Sequence, residues 1–185
     1  MAIKNNSQTW GSLSIGLHWL TLIMILSLMV VGLLMTDMPN GPQKIQVYAM
    51  HKSFGLTVLG LTILRLLWRL FSTNPDDVPN TPAWQALVAK LTHGALYVLL
   101  FAMPISGWLY NSAAGFPLKY FGLFKLPRLS GFDPGLKELA GDAHETFFYI
   151  LALLMLMHAG AALKHHYFDK DNTLTRMLPW LAKKP

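Results

Sequence analysis

The stretch His144-Glu-Thr-Phe-Phe-Tyr-Ile-Leu-Ala-Leu-Leu-Met-Leu-Met-His158 decides the fold. From Thr146 to Leu163 the chain carries no formal charge, and leucine, methionine, alanine and aromatic residues fill the run. Such a run makes a helix that can enter a bilayer core about 30 Å thick at about 1.5 Å per residue. The bracketing histidines stand 14 positions apart. At about 100° per residue they fall within about 40° of one face, about 21 Å apart along the axis.

Three more runs match it. Leu13–Met35 and Leu91–Leu118 are uncharged, and Val47–Phe71 is apolar apart from Lys52 near one end and Arg65 and Arg69 near the other. The third run is expected to bend and leave the membrane where Pro104, Asn111, Gly115 and Pro117 fall. Four membrane helices follow, over about 12–35, 47–71, 84–110 and 141–166, with a short tail at 167–185. The linking segments at 36–44, 72–83 and 111–140 are polar or rich in proline and glycine. The expected fold is all-α: one domain over 1–185, an integral membrane four-helix bundle. Leu13–Met35 is too long for a cleavable signal, and no small-residue cleavage site follows it.

Composition agrees. Of 185 residues 53% are hydrophobic and 13% charged, about half the charge of a soluble domain. This excludes a disordered tail protein and argues against a soluble enzyme. The absence of cysteine removes disulfides, thiolate zinc sites, iron–sulfur ligation and covalent c-type haem. With the N-terminus inside, Lys4, Arg65, Arg69, Lys90, Lys164, Lys170, Arg176, Lys183 and Lys184 gather on one side. Lys44, Lys52, Lys119, Lys125, Arg128 and Lys137 gather on the other. The tail is the densest cluster, so both termini are expected to be cytoplasmic.

Five histidines, at 18, 51, 93, 144 and 158, lie at membrane depth. Ionisable residues there generally face a bundle interior. One alone reads equally well as a helix contact; five together do not. Ligands about 21 Å apart cannot serve one metal ion, but they suit two stacked haems, each between axial imidazoles. Depth pairs His51 with His144 on the outer side. On the inner side His18 pairs with His158, with His93 competing. Gly32, Gly107 and Arg65 stand 14 residues after His18, His93 and His51. Each glycine should leave room at the outer level. Arg65 should meet a haem propionate at the inner level, with snorkelling to headgroups as the alternative for Arg65 and the preferred reading for Arg69. Met24, Met29, Met155 and Met157 read as packing.

His18 in Gly-Leu-His-Trp, His51 in Met-His-Lys-Ser, His144 in Ala-His-Glu-Thr and His158 in Leu-Met-His-Ala-Gly resemble the bacterial cytochrome b-561 family of diheme membrane cytochromes. The most specific piece runs from Ala161 through His165-His166-Tyr167-Phe168-Asp169-Lys170-Asp171-Asn172-Thr173-Leu174 to Arg176-Met177-Leu178-Pro179. It resembles the branch that oxidises superoxide outside and reduces ubiquinone. The resemblance spans about 10–180. It implies a bundle enclosing two b haems, held by His18 with His158 and by His51 with His144, in the bacterial inner membrane. It also implies a quinone pocket at the cytoplasmic end of helix four with His165 as contact. The chain departs at Pro75-Asp76-Asp77-Val78-Pro79-Asn80-Thr81-Pro82, where a relative has lysines and prolines.

His165 is also reached without the resemblance, two turns past His158 and near the inner surface. A histidine there can supply a proton to a reduced quinone, or it can sit among anionic headgroups; His166 faces away and suits the second role. Arg69 joins His165 as a candidate quinone contact. Outside, Lys119, Lys125, Arg128 and Lys137 face a single acid, Asp133, between 111 and 137. That balance attracts a small anion such as superoxide, or equally an acidic periplasmic redox protein. No nucleic-acid partner is expected. The signature favours the superoxide-oxidising reading over a cytochrome fed by a partner protein.

Overall fold

The computed structural model describes residues 2–79 and 81–181, so Asn80, Lys183 and Lys184 lie outside the described residues. Four long helices dominate: α1 (Ser12–Thr36), α2 (Pro42–Phe71), α3 (Ala83–Ala113) and α4 (Pro134–Lys164). All four are long and apolar enough to cross a membrane. Two helices begin earlier than expected. α2 starts at Pro42 rather than 47, with proline at its first position, where the ring's fixed φ suits a helix start and no hydrogen bond is lost. The Lys44 ammonium then closes the end of α1 by donating to the carbonyls of Thr36 (3.1 Å) and Met38 (2.9 Å). α4 starts at Pro134 rather than 141, because Asp133 accepts from the Leu136 amide (3.0 Å) as an N-cap. Its first turns hold Lys137, Glu138 and Asp142, so the helix extends beyond the apolar run.

The expected loop at 111–140 is partly ordered. α3 carries on past Pro104 to Ala113, and Leu118–Tyr120 (β1) pairs antiparallel with Phe124–Leu126 (β2). At the other end α4 widens into a π-turn over His165–Asp169, closed by Lys170 in the left-handed region (φ 55°).

The bundle is apolar outside, and small hydroxyl-bearing residues are its most completely buried side chains. Leu20, Ile23, Leu26, Val30, Leu33 and Leu34 of α1 are exposed, whereas Thr21, Ser53, Thr62 and Ser112 are almost completely buried. With lipid as solvent, helices gain more by close approach over small residues than by hiding leucine. Each buried hydroxyl donates one turn back: Thr21 to the Leu17 carbonyl, Thr62 to Val58, Ser53 to Ala49 and Ser112 to Trp108. Each of these four hydroxyls therefore has an acceptor inside its own helix, where lipid supplies none.

The apolar core sits at mid-depth. Ile25, Val58, Leu99, Leu100 and Leu151 form it. Ile25, Val58, Leu100 and Leu151 each stand seven residues after a histidine of their own helix, at 18, 51, 93 and 144. Seven residues are close to two turns, about 10.5 Å. The same face of each helix therefore repeats in layers, with apolar side chains between two levels of chemistry. Among the described residues α4 packs its backbone chiefly against α3.

Candidate functional site

At the level nearer the two termini, called the inner level and the opposite one the outer, α1, α3 and α4 bring three imidazoles together. The ring centroids of His18 and His158 are 6.3 Å apart, and those of His93 and His158 are 5.2 Å apart. Arg65 of α2 reaches the same level, and its Nη2 lies 3.1 Å from His18 Nδ1. A guanidinium only donates, so in this contact Nδ1 accepts and the ring proton sits on Nε2. Arg65 and Arg69 also stack over the Tyr97 ring, 5.8 and 5.7 Å from its centroid. Trp19 sets the edge of the site, with its ring against His18 and its indole N–H donating to the Met177 carbonyl at 2.9 Å.

At the outer level His144 is fixed from one side. Its Nδ1 lies 2.9 Å from the Met103 carbonyl and 3.0 Å from Ser106 Oγ. This is the pattern of a ligating histidine whose second nitrogen donates to a backbone carbonyl, leaving Nε2 free for a metal. The neighbouring Pro104 brings no N–H to the helix, which loosens the backbone at this turn. Gly32 and Gly107 lie at the outer level as their spacing predicts, but what they face is imidazole. A Cβ on Gly107 would come within 3.0 Å of His144 Cε1, and one on Gly32 within 3.4 Å of His51 Cε1. His51 Nδ1 is buried and has no hydrogen-bond partner among the described residues.

These residues fit a planar cofactor between helices. Imidazole–metal bonds of about 2 Å on either side of a metal set two axial ring centroids about 6 Å apart. The His18–His158 spacing meets that value, whereas His93 stands closer to His158 than such a pair allows. α1 and α4, which carry His18 and His158, and α2 and α4, which carry His51 and His144, are not among the closely packed helix pairs of the described residues.

The inner end of the bundle is capped by three segments. The Asp76 amide donates to the Ser7 carbonyl (2.8 Å), and Arg176 donates to the Asp76 carbonyl (2.6 Å). Asp77, part of the departing loop, pairs with Lys90 at 3.2 Å. In the π-turn His165 Nδ1 lies 2.9 Å from Asp169 Oδ2 and 2.9 Å from Asp171 Oδ2. Both oxygens approach off the N–H direction, so these are close contacts rather than well-aligned hydrogen bonds. Among the described residues no hydrogen bond or ion pair joins His165 to Arg69. The two expected quinone contacts are held by different neighbours.

At the opposite end of the bundle the hairpin is pinned to α2 near His51. The Phe121 amide donates to Ser53 Oγ (3.0 Å), and the Tyr120 and Thr57 hydroxyls meet at 3.0 Å. Lys119 and Lys125 are exposed and directly opposite each other across the ladder. Arg128 donates to the Gly115 carbonyl, and Lys137 stands over the Tyr110 ring.

Sequence reasoning did not find Ser106, the Met103 carbonyl, Tyr97, Trp19 or the pairing of His165 with two aspartates. The aspartates stood in view beside His165; the other contacts join distant helices and leave no local signal.

The family model for prokaryotic cytochrome b561 matches residues 9–180. The chain is 34% identical to cytochrome b561 homolog 2 of Escherichia coli (strain K12), over 96% of this chain and 95% of that protein. It is 34% identical to cytochrome b561 homolog 1 of the same organism, over 88% and 93%. It is 31% identical to the "Probable superoxide oxidase CybB" of Yersinia pestis, over 93% and 97%.

Proposed function

The chain belongs to the prokaryotic cytochrome b561 family, multi-pass bacterial membrane proteins that bind haem b and transfer electrons, and from that premise we propose a diheme superoxide:ubiquinone oxidoreductase of the inner membrane. Each bound haem b supplies one-electron storage and transfer. His18 with His158, and His51 with His144, would hold the two haem irons. The carrying observation is the 14-residue register of His144 and His158, with a depth-matched histidine facing each. Both termini are cytoplasmic, which makes the hairpin periplasmic.

Two superoxide anions each give up one electron outside and leave as dioxygen. One ubiquinone takes two electrons and two protons inside and leaves as ubiquinol. Lys119, Lys125, Arg128 and Lys137 attract the anion. Arg65, which lies against His18 Nδ1, would hold a propionate of the inner haem and so leave His18 free to ligate, because His18 cannot both keep its proton on Nε2 and bind iron through that atom. His165 gives a proton to the quinone through Nε2, its Nδ1 side being held by Asp169 and Asp171. Arg69 lines the same end. Superoxide as donor is supported by the Yersinia pestis relative's name and by the resemblance in 161–179.

The test is to give the purified protein pulses of superoxide with quinone present and no other protein. Haem reduction should approach the diffusion limit, about 10⁹ M⁻¹ s⁻¹, with quinol accumulating. Slow reduction overturns superoxide as donor and leaves a cytochrome fed by a periplasmic redox protein, for which the same basic rim is a docking surface.

A further inference from the structure

Lys52 is a cation at membrane depth that neither the haem ligation nor the steering surface uses. It follows His51 on α2, yet its ammonium turns inward: Nζ donates to Asn111 Oδ1 at 2.9 Å. Asn111 is buried, and its amide is locked, since Nδ2 donates to the Phe116 carbonyl at 2.9 Å. The oxygen that receives Lys52 is therefore fixed in direction. Asn111 stands four residues after Gly107, which means the same face of α3 about one turn, roughly 6 Å, further out. Gly107 is the residue that abuts the His144 ring. The chain of contacts His144–Gly107–Asn111–Lys52 sets the ammonium one turn outward of the outer histidine level.

A lysine that merely snorkels sends its ammonium to the headgroups. This one is half-buried and bonded to a neutral amide. Among the described residues no carboxylate pairs with it; the Asp and Glu side chains that form ion pairs do so with Lys90, Lys164 and His165. Charges removed from water are normally paired. An ammonium keeps up to three donors, and only one is used.

Resting on the two-haem reading above, we propose that Lys52 binds a propionate carboxylate of the outer haem, with Asn111 as the residue that positions it. The ammonium then both anchors the ring and raises the outer haem's reduction potential, since a nearby cation favours the state with one more electron. Exposed Lys119 and Lys125 on the hairpin are screened by water and act on diffusing anions instead.

The experiment is a redox titration of purified protein, followed in the α-bands without superoxide. Lys52→Met should move the outer haem's midpoint to lower potential and hasten loss of that haem, while the inner midpoint stays put. Lys52→Arg should restore both. Lys52→Gln removes the charge while keeping a donor for Asn111 and should reproduce the lowered midpoint, which covers a Lys52→Met protein that fails to accumulate. Two wild-type midpoints, neither moved by Lys52→Met or Lys52→Gln, overturn the proposal alone. So does a change confined to the rate with superoxide, which would make Lys52 part of the steering surface. A wild-type protein with one midpoint, from which His51→Ala removes nothing, overturns the two-haem reading and this role together.

Discussion

His144 shows how a single residue is prepared for ligation. Its ring orientation comes from two acceptors on α3, and its edge is met by a glycine that leaves just enough space. Space and hydrogen bonding can be tested separately. Gly107→Val puts a branched side chain where even a Cβ would sit at 3.0 Å, so the ring must turn or α3 must move, at a cost of about 1–3 kcal/mol. The expected outcome is loss of the outer haem with the inner one retained, read as half the haem-to-protein ratio, and His144→Ala should match it. Ser106→Ala removes one of the two Nδ1 partners and should only weaken haem affinity, within the roughly 10–100-fold range of outer-shell changes. At the inner level the centroid spacings separate His18 from His93. His18→Ala should lose the inner haem and His93→Ala should keep it; the reverse result would exchange their roles.

At the scale of elements, the helices were legible and their ends were not. A run without charge must span or be buried, and histidines at a 14-residue interval must share a face, so both levels could be read from α1, α2 and α4 before any coordinates. The seven-residue midpoint at Ile25, Val58, Leu100 and Leu151 is the same register seen in the core. The hairpin was not legible, because its two strands are three residues each and it is held by α2, through Ser53 and Thr57, rather than by its own ladder. Two lysines facing each other cost such a ladder about 0.2–1 kcal/mol. The π-turn was equally hidden, since nothing local separates it from a continuing α-helix. Yet it brings Asp169 and Asp171 to within 2.9 Å of His165 Nδ1, at the proposed quinone end. His165→Ala should slow quinone reduction several-fold with haem content and haem reduction by superoxide unchanged. Asp171→Asn, which removes the less exposed of the two carboxylates, should give a smaller defect of the same kind. Unchanged quinone kinetics in both, and in Arg69→Ala, would place the quinone elsewhere, near the 75–82 segment that Arg176 holds.

Over the whole molecule the charges divide the two ends. The inner end ties its charges into contacts: Asp77 with Lys90, Arg176 with the Asp76 carbonyl, His165 and Lys164 with Asp169. The outer end leaves Lys119, Lys125, Arg128 and Lys137 exposed, around a hairpin fastened close to His51. Among the described residues none of the four has a carboxylate partner, Arg128 and Lys137 being held only by the Gly115 carbonyl and the Tyr110 ring. A cation tied to a carboxylate has little field at a distance, whereas free cations on one rim add. A singly charged substrate without a fitted pocket depends on that sum, because attraction over many ångströms decides how often it meets the right edge. Such attraction fades as the Debye length shortens from about 30 Å at 0.01 M salt to about 10 Å at 0.1 M. Haem reduction by superoxide should therefore be second order and slow several-fold across that range. Neutralising Lys119 and Lys125 together with glutamine should lower the rate at low salt and flatten its salt dependence. Because the two residues face outward, the haem midpoints should not move. Their ladder partners are each other, so removing both charges should stabilise the hairpin rather than loosen it, and a fall in rate cannot then be laid to unfolding of that end. A rate independent of salt, or one that survives the double substitution unchanged at 0.01 M, would mean that the rim does not steer superoxide.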